Sequence, residues 1–254
     1  MLKIGIFGAT GRIGRLLIEE TIKDKELELG SVFVHKELAF SLPEKTLATN
    51  NFESFIQNSD LVIDFSLPEA THSLLQALIK RPIPLVSGTT GLDESTFSLF
   101  KELSLLTPLL YATNMSKGVA MLNRLLPIIV KGLDDSDIEI SEIHHRYKKD
   151  APSGTALSLA NTCAKARGLD LSKVRISGRD GNIDKRKADE IGVMSFRGGD
   201  IAGKHTVGFY LDGEYLELTH NANSRLTFAK GAITAAKWLI KQKNGFYQIE
   251  DLFK

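Results

Sequence analysis

The chain predicts an α/β protein, with a Rossmann-like parallel sheet in its N-terminal part and a C-terminal α+β domain built on an open mixed sheet. Three observations carry that prediction. Short apolar runs alternate with amphipathic helical stretches from Leu2 to about Met115, the pattern of a parallel sheet with helical crossovers. The first run ends in glycines at positions 8, 11 and 14 and passes into a helix, the order that opens a dinucleotide-binding unit. Beyond Met115 several strands follow one another, and Asp212-Gly213 marks a hairpin between two of them.

Taken in order, residues 2–7 form the first strand, and Leu16, Leu17, Glu20 and Ile22 lie along the helix after the turn. The GxxGxxG spacing is a relaxed fingerprint, and its glycines let the backbone approach a pyrophosphate at the helix N-terminus. Residues 27–34 form the next strand. About 20 residues after the last glycine, an NAD site places an acidic group on the ribose 2′-hydroxyl; here the chain has Val34, His35 and Lys36. Two potential cations at that point favour the 2′-phosphate of NADPH, with NADH as the second cofactor, and Glu37 is the acidic alternative one step on. A third strand at 60–65 runs into a helix beginning near Pro68, where a fixed φ suits the first helical position. A fourth strand at 84–91 ends in a glycine-bracketed turn whose Gly88, Thr89 and Thr90 would face a nicotinamide. A helix at 94–105 and a fifth strand at 108–112 close this region.

A long helix at 117–133 crosses to a strand at 137–142, in which apolar and polar residues alternate. Further strands are expected at 174–177, 191–197, 204–211 and 215–220, then a helix from Leu226 and a short apolar close. The domains are accordingly 1–115 for the dinucleotide, 116–225 for substrate and oligomerisation, and 226–254 as a helical segment returning to the first domain. An open sheet with exposed edges and a helical cover on one side calls for self-association.

With 254 residues, 43% hydrophobic and 25% charged, the chain has the composition of an ordinary globular protein with ample core. A formal net charge of +1 gives no global field for nucleic acid or membrane partners. The lone Cys163 excludes a disulfide framework, the start enters a strand rather than a signal peptide, and no apolar run is long enough to span a bilayer. The expected location is the cytoplasm. His72, His205 and His220 have no second ligand at metal spacing, so no metal site is predicted and all three are read as structural.

The densest chemistry lies in residues 142–155, EIHHRYKKDAPSGT. Adjacent His144 and His145 stand at a strand's exit, with Arg146, Lys148 and Lys149 following at once. Such a cluster offers protons near neutrality and attracts an anion. Ser153 is a natural N-cap for the helix that follows. The backbone N–H groups near Gly154 and Thr155 carry the positive end of its dipole, suited to a carboxylate or phosphate.

EIHHRYKKDAPSGTA, taken with GATGRIG, IDFSLPEAT, SGTTG, ATNMSKG, RGGDIAGKHTV and THNANSRLTFAKGA in that order, resembles the 4-hydroxy-tetrahydrodipicolinate reductase (dihydrodipicolinate reductase) family along nearly its whole length. The resemblance implies reduction of a small cyclic dicarboxylate by NADPH or NADH in lysine and diaminopimelate biosynthesis, by a homotetramer. It implies that His144 is the general acid/base and Lys148 a second proton donor, and that His145, Gly154 and Thr155 bind a substrate carboxylate with Ser153 nearby. The nucleotide would lie against Gly8, Ala9, Thr10, Gly11, Arg12 and Ile13, against Gly88 to Thr90, and against Ala112, Thr113, Asn114 and Met115. Many family members have an acidic residue where this chain has Val34, a departure that agrees with NADPH. Aspartate and homoserine dehydrogenases share the domain plan but not the HHxxK and SGT constellation; a nucleotide sensor without turnover is the rival of another class.

Overall fold

Gly8 has φ +87°, a conformation that side chains rarely adopt, and a Cβ there would lie 2.3 Å from the Phe65 carbonyl oxygen. That turn joins strand β1 (Leu2–Phe7) to helix α1 (Arg12–Lys23) in the computed structural model, which describes residues 1–35, 38 and 40–254. Next come β2 (Leu27–Phe33), β3 (Leu47–Thr49), α2 (Phe52–Gln57), β4 (Leu61–Asp64), α3 (Pro68–Lys80), β5 (Leu85–Ser87), α4 (Glu94–Leu106) and β6 (Pro108–Tyr111). The sequence pattern anticipates all of these except β3 and α2. β3 is only three residues long and half-buried, too short for a period to register. α2 is a six-residue helix whose Asn51 cap accepts the Ser54 N–H at 2.9 Å.

Two compact units divide the chain, one of residues 1–116 with 226–254 and one of residues 117–225. The second unit contains α5 (Lys117–Gly132), β7 (Asp137–His144), α6 (Gly154–Ala166), the short α7 (Leu171–Val174), β8 (Arg175–Ile176), β9 (Ile191–Arg197), β10 (Gly203–Tyr210) and β11 (Tyr215–Ala222). Its sheet runs β11-β10-β7-β9-β8. β10 pairs antiparallel with β11 and β7, while β9 is parallel to β7 and β8, so the sheet is mixed. Alternation along β7 buries Ile138, Ile140, Glu142 and His144 and leaves the intervening residues half-exposed. The first two join Val193, Val207, Phe209, Leu126, Leu159 and Cys163 in one core under α5 and α6, each large side chain contributing about 1.5–3 kcal/mol by burial. The other two lie on the same face, where the core gives way to polar chemistry. Arg179 holds the Glu139 carboxylate with two hydrogen bonds at 2.8 and 2.9 Å, binding the long loop before β9 to the opposite face of β7.

The chain then re-enters the first unit through α8 (Leu226–Leu239), β12 (Gly245–Tyr247) and a 3-10 turn at Ile249–Phe253. The returning segment, expected to be helical, therefore contains a strand: β12 extends the first sheet by pairing parallel with β6. That sheet is wholly parallel in the order β12-β6-β5-β4-β1-β2-β3. Its strands are near-continuous apolar runs because helices cover both faces; Phe55, Leu74, Leu78, Phe100 and Leu103 fill one side. α8 packs on α1, with Lys237 Nζ 2.8 Å from Asp24 Oδ1.

Candidate functional site

In the first unit, strand order reverses between β1 and β4, which are neighbours although the chain leaves β1 for β2 on the other side. Ligands of open α/β sheets bind at such a point, outside the carboxyl ends of the strands. A cavity of about 530 Å³ lies there, lined among others by Gly8, Thr10, Gly11, Phe33, Val34, His35, Phe65 and Ser66. α1 begins at Gly11 without a side-chain cap, leaving first-turn N–H groups for an anion. A Cβ on Gly14 would stand 2.2 Å from the Gly8 carbonyl oxygen, so the turn keeps its depth only with glycine. These features fit a dinucleotide pyrophosphate.

The expected nucleotide residues fall unevenly around that turn. Gly8, Thr10 and Gly11 line the cavity, Arg12 is exposed and Ile13 half-exposed at the helix start, and Ala9 is fully buried beneath it. His35 is exposed, its ring edge-on to Phe33 at 5.4 Å; Lys36 and Glu37 lie outside the described residues. Arg15, which the sequence did not single out, sits over the Phe40 ring at 5.3 Å. Thr90 and Thr113 are exposed, Ala112 donates its N–H to the Ser87 carbonyl at 3.1 Å, and Met115 is buried. Asn114 Oδ1 accepts the Ser116 N–H at 2.8 Å.

A residue without a role in the sequence pattern organises the turns after β4 and β5. Asp64 is fully buried and accepts hydrogen bonds from the hydroxyls of Ser66 (2.6 Å), Thr71 (2.7 Å), Ser87 (2.9 Å) and Thr89 (3.0 Å). The Gly88 N–H binds its backbone carbonyl at 2.9 Å. Burial pushes its carboxyl above the usual range, against the lowering effect of those hydroxyls.

In the second unit, His144 ends β7 with Nδ1 2.5 Å from Glu142 Oε2. The two share a face because they are two apart on a strand, the one sequence signal that pairs them. Glu142 is fully buried. Arg197, brought opposite His144 by the β7/β9 register, binds both oxygens of that carboxylate at 3.0 and 2.9 Å. The Ser153 N–H donates to Glu142 Oε1 at 3.1 Å. Burial alone would raise the Glu142 carboxyl; the Arg197, His144 and Ser195 hydrogen bonds outweigh it and hold it below the ordinary value. His144 is lowered, chiefly by burial, with Glu142 opposing and Lys148 and Arg197 adding to the shift.

His205, read from sequence as structural, packs its ring 5.1 Å from that of His144 and bonds Ser153 Oγ through Nε2 at 3.1 Å. It belongs to the same buried cluster, because β10 pairs His205 with Glu142, a register no local pattern reveals. Burial and then the His144 charge depress it to about 4. After the strand, the His145 N–H binds the Ile201 carbonyl at 2.8 Å, and Lys148 Nζ pairs with Asp150 at 2.8 Å. Ser153 caps α6 through the Ala156 N–H at 3.2 Å, and Gly154 is exposed at its first turn with Thr155 half-exposed behind it. His144, the Lys148 ammonium and the start of α6 thus follow one another along the chain of this unit. Among the described residues, no group of three His, Cys, Asp or Glu is placed to hold a metal, and no helix is long and apolar enough to cross a membrane.

Comparison with known proteins gives the same outline. The family models described as "Dihydrodipicolinate reductase, N-terminus" and "Dihydrodipicolinate reductase, C-terminus" match residues 2–115 and 118–253. A 4-hydroxy-tetrahydrodipicolinate reductase of Helicobacter hepaticus is 64% identical over 99% of this chain and 98% of its own, and one of Wolinella succinogenes is 60% identical over the same shares. Among solved structures, a dipicolinate-bound dihydrodipicolinate reductase from Paenisporosarcina sp. TG-14 superposes with a TM-score of 0.82 at 22% identity, covering 99% of both chains, which speaks to the fold. With both halves matched in order and whole-length relatives this similar, the chain belongs to the dihydrodipicolinate reductase family.

Proposed function

We propose that this chain is an oxidoreductase that reduces 4-hydroxy-tetrahydrodipicolinate, through its dehydrated cyclic imine, to tetrahydrodipicolinate in lysine and diaminopimelate biosynthesis. The observation that carries this reading is the full-length identity to reductases of that name. A nicotinamide, when bound, supplies the hydride. The residues to hold it are the Gly8 to Ile13 turn, the Asp64-anchored turn at Gly88 to Thr90, and Ala112 to Met115. The uncapped first turn of α1 would meet its phosphates with backbone N–H groups. NADPH is the favoured form, supported by Val34 at the end of β2 and by exposed His35 beside the cavity.

The second unit contributes the proton and holds the substrate. His144 donates a proton from Nε2 to the carbon skeleton after hydride addition, so that one hydride and one proton together saturate one double bond of the imine. Lys148 is a second donor and a counter-charge. A substrate carboxylate is held by the N–H groups at Gly154 and Thr155 with Ser153 and His145, charge-assisted contacts at a helix dipole's positive end. Positioned acid catalysis of this type is worth about 100- to 10,000-fold.

The protein works as a homotetramer through the uncovered face of the second sheet, a reading supported by Phe196 and Tyr215, 54% and 67% exposed. Light scattering that finds only monomer removes it. The reducing cytoplasm is the location, supported by the buried, unpaired Cys163.

The test of the activity is a coupled assay. Substrate made in place from pyruvate and aspartate semialdehyde by its synthase is offered with NADPH or NADH while nicotinamide absorbance is followed. Oxidation that requires the synthase, faster with NADPH, is the expected result. Nucleotide binding without oxidation of either form would instead favour a sensor.

A further inference from the structure

His144 is not held by packing alone. Its Nδ1 meets Glu142 Oε2 at 2.5 Å, and a carboxylate only accepts, so Nδ1 carries the hydrogen. In the neutral ring Nε2 is then the bare nitrogen, and in the charged ring it bears the proton that can leave. Gly203 lies beside it: a Cβ there would come within 3.0 Å of Nε2, so the missing side chain keeps room at the nitrogen that has no carboxylate. The other oxygen of Glu142 accepts the Ser153 N–H at 3.1 Å, at the residue that caps α6.

We infer that Glu142 is the positioning residue of this site: it fixes the tautomer of His144 so that Nε2 faces the substrate, and it ties the proton donor to the helix N-terminus that holds the substrate carboxylate. The inference rests on the reading of His144 as proton donor. Geometry gives it three independent supports. The carboxylate is fully buried, which costs several kcal/mol unless every lone pair is used, and its two oxygens accept from three different elements. Arg197 comes from β9, His144 from β7 itself, and Ser153 from the start of α6. Arg197 also reaches the Asp150 carbonyl at 2.6 Å, so the same cation braces the loop carrying Lys148. A carboxylate serving only to bind Arg197 would not need the imidazole at 2.5 Å.

Charge around the ring sets the direction of the effect. The groups facing His144 are Glu142 on its own strand, Arg197 on β9, His205 on β10, and Lys148 on the loop after β7. Among these described groups Glu142 is the anion, and it favours the imidazolium that must form before each proton transfer. Neutralising it lowers the fraction of charged donor at a given pH.

The experiment begins on the unaltered protein. Nitrogen-15 NMR of labelled histidine, with His144 assigned by comparison with His144→Gln, is expected to show the neutral ring protonated at Nδ1; protonation at Nε2 overturns the proposal with no variant required. Glu142→Gln then retains shape and loses charge. It is expected to lower kcat on the order of 100-fold with little change in nucleotide affinity. The alkaline limb of log kcat against pH should move down by about one unit, and Glu142→Asp should regain part of both. An unmoved profile and tautomer in Glu142→Gln, with His144→Gln damaged, overturns the proposal alone. Near wild-type turnover in His144→Gln brings down the donor reading and this proposal with it. If Glu142→Gln does not fold, the wild-type tautomer still decides.

Discussion

Asp64 and Glu142 are the same chemistry at the same depth, put to opposite uses. Each is a fully buried carboxylate at or near the carboxyl end of a strand, one in each unit. For each, burial is the largest single influence on the acid. Around Asp64 the donors are hydroxyls and the Ser66 N–H, which stabilise a carboxylate only partly, and the acid stays raised. Around Glu142 the donors include a two-pronged guanidinium and an imidazole, and the acid is held low. Whether a neighbouring strand supplies a cation decides between a raised acid that gathers turns and a carboxylate held charged beside an imidazole.

The largest expected effect breaks that comparison if it fails. His144→Gln removes the partner that makes Glu142 more than structural, and should lower kcat by about 100- to 10,000-fold with a smaller change in KM. Lys148→Ala should damage both parameters, since Lys148 is proposed both as a second proton donor and as a counter-charge to the substrate. Steady-state rates with freshly generated substrate decide it; near wild-type turnover in both variants removes the assignment of roles to His144 and Lys148.

The comparison also explains what could be read from the sequence and what could not. Period-two alternation revealed β7 and the exit of His144, the Ser153 cap was visible as a residue type before a helical period, and the glycine turn announced the first unit. Those are local signals, spanning one element each. Asp64 was visible only as an acid inside an apolar run, because three of its four hydroxyl partners, Thr71, Ser87 and Thr89, lie 7 to 25 residues further on. Arg197 and His205 are 55 and 63 positions from the residues they serve, and only strand register brings them there. β3 and α2 were missed because a three-residue strand and a six-residue helix each hold less than two periods of their own pattern. The specific chemistry was legible mainly through resemblance, since a pair of histidines with a lysine names an anion site, not a dicarboxylate.

Of intermediate size is the effect of removing the other carboxylate. Asp64→Ala strips acceptors from four buried or half-buried hydroxyls at once. Ser66 and Thr71 can still pair with each other, being 3.2 Å apart, so the loss is less than the sum of four bonds. A destabilisation of about 3–4 kcal/mol is expected, with weaker nucleotide binding through the slackened Gly88 to Thr90 turn. The pH dependence of kcat should keep its wild-type midpoint, in contrast to the Glu142→Gln shift. Urea unfolding, nucleotide titration and a pH profile on one preparation make the contrast; a displaced midpoint in Asp64→Ala would mean that the two carboxylates do not divide the work as argued.

The smallest effect concerns acid stability, where the two regions should respond with opposite signs. His205 is depressed to about 4, so its folded pKa lies below the unfolded value of about 6.5. Its contribution is present above pH 6.5 and is lost as pH falls through the window down to about 4. His144, also lowered, acts in the same sense. Asp64, whose acid is raised, contributes most at low pH and loses that contribution as pH climbs through its folded value, so acidification does not weaken its region through this group. Glu142 is lowered from an ordinary carboxylate value and matters only at still lower pH. Between pH 7 and pH 5, His205 alone should therefore withdraw about 2 kcal/mol. His205→Gln can still hydrogen-bond Ser153 but does not titrate, so urea unfolding at the two pH values should show a smaller acid loss in the variant than in the wild type. Equal losses would place the acid sensitivity elsewhere and leave His205 a packing residue without electrostatic consequence.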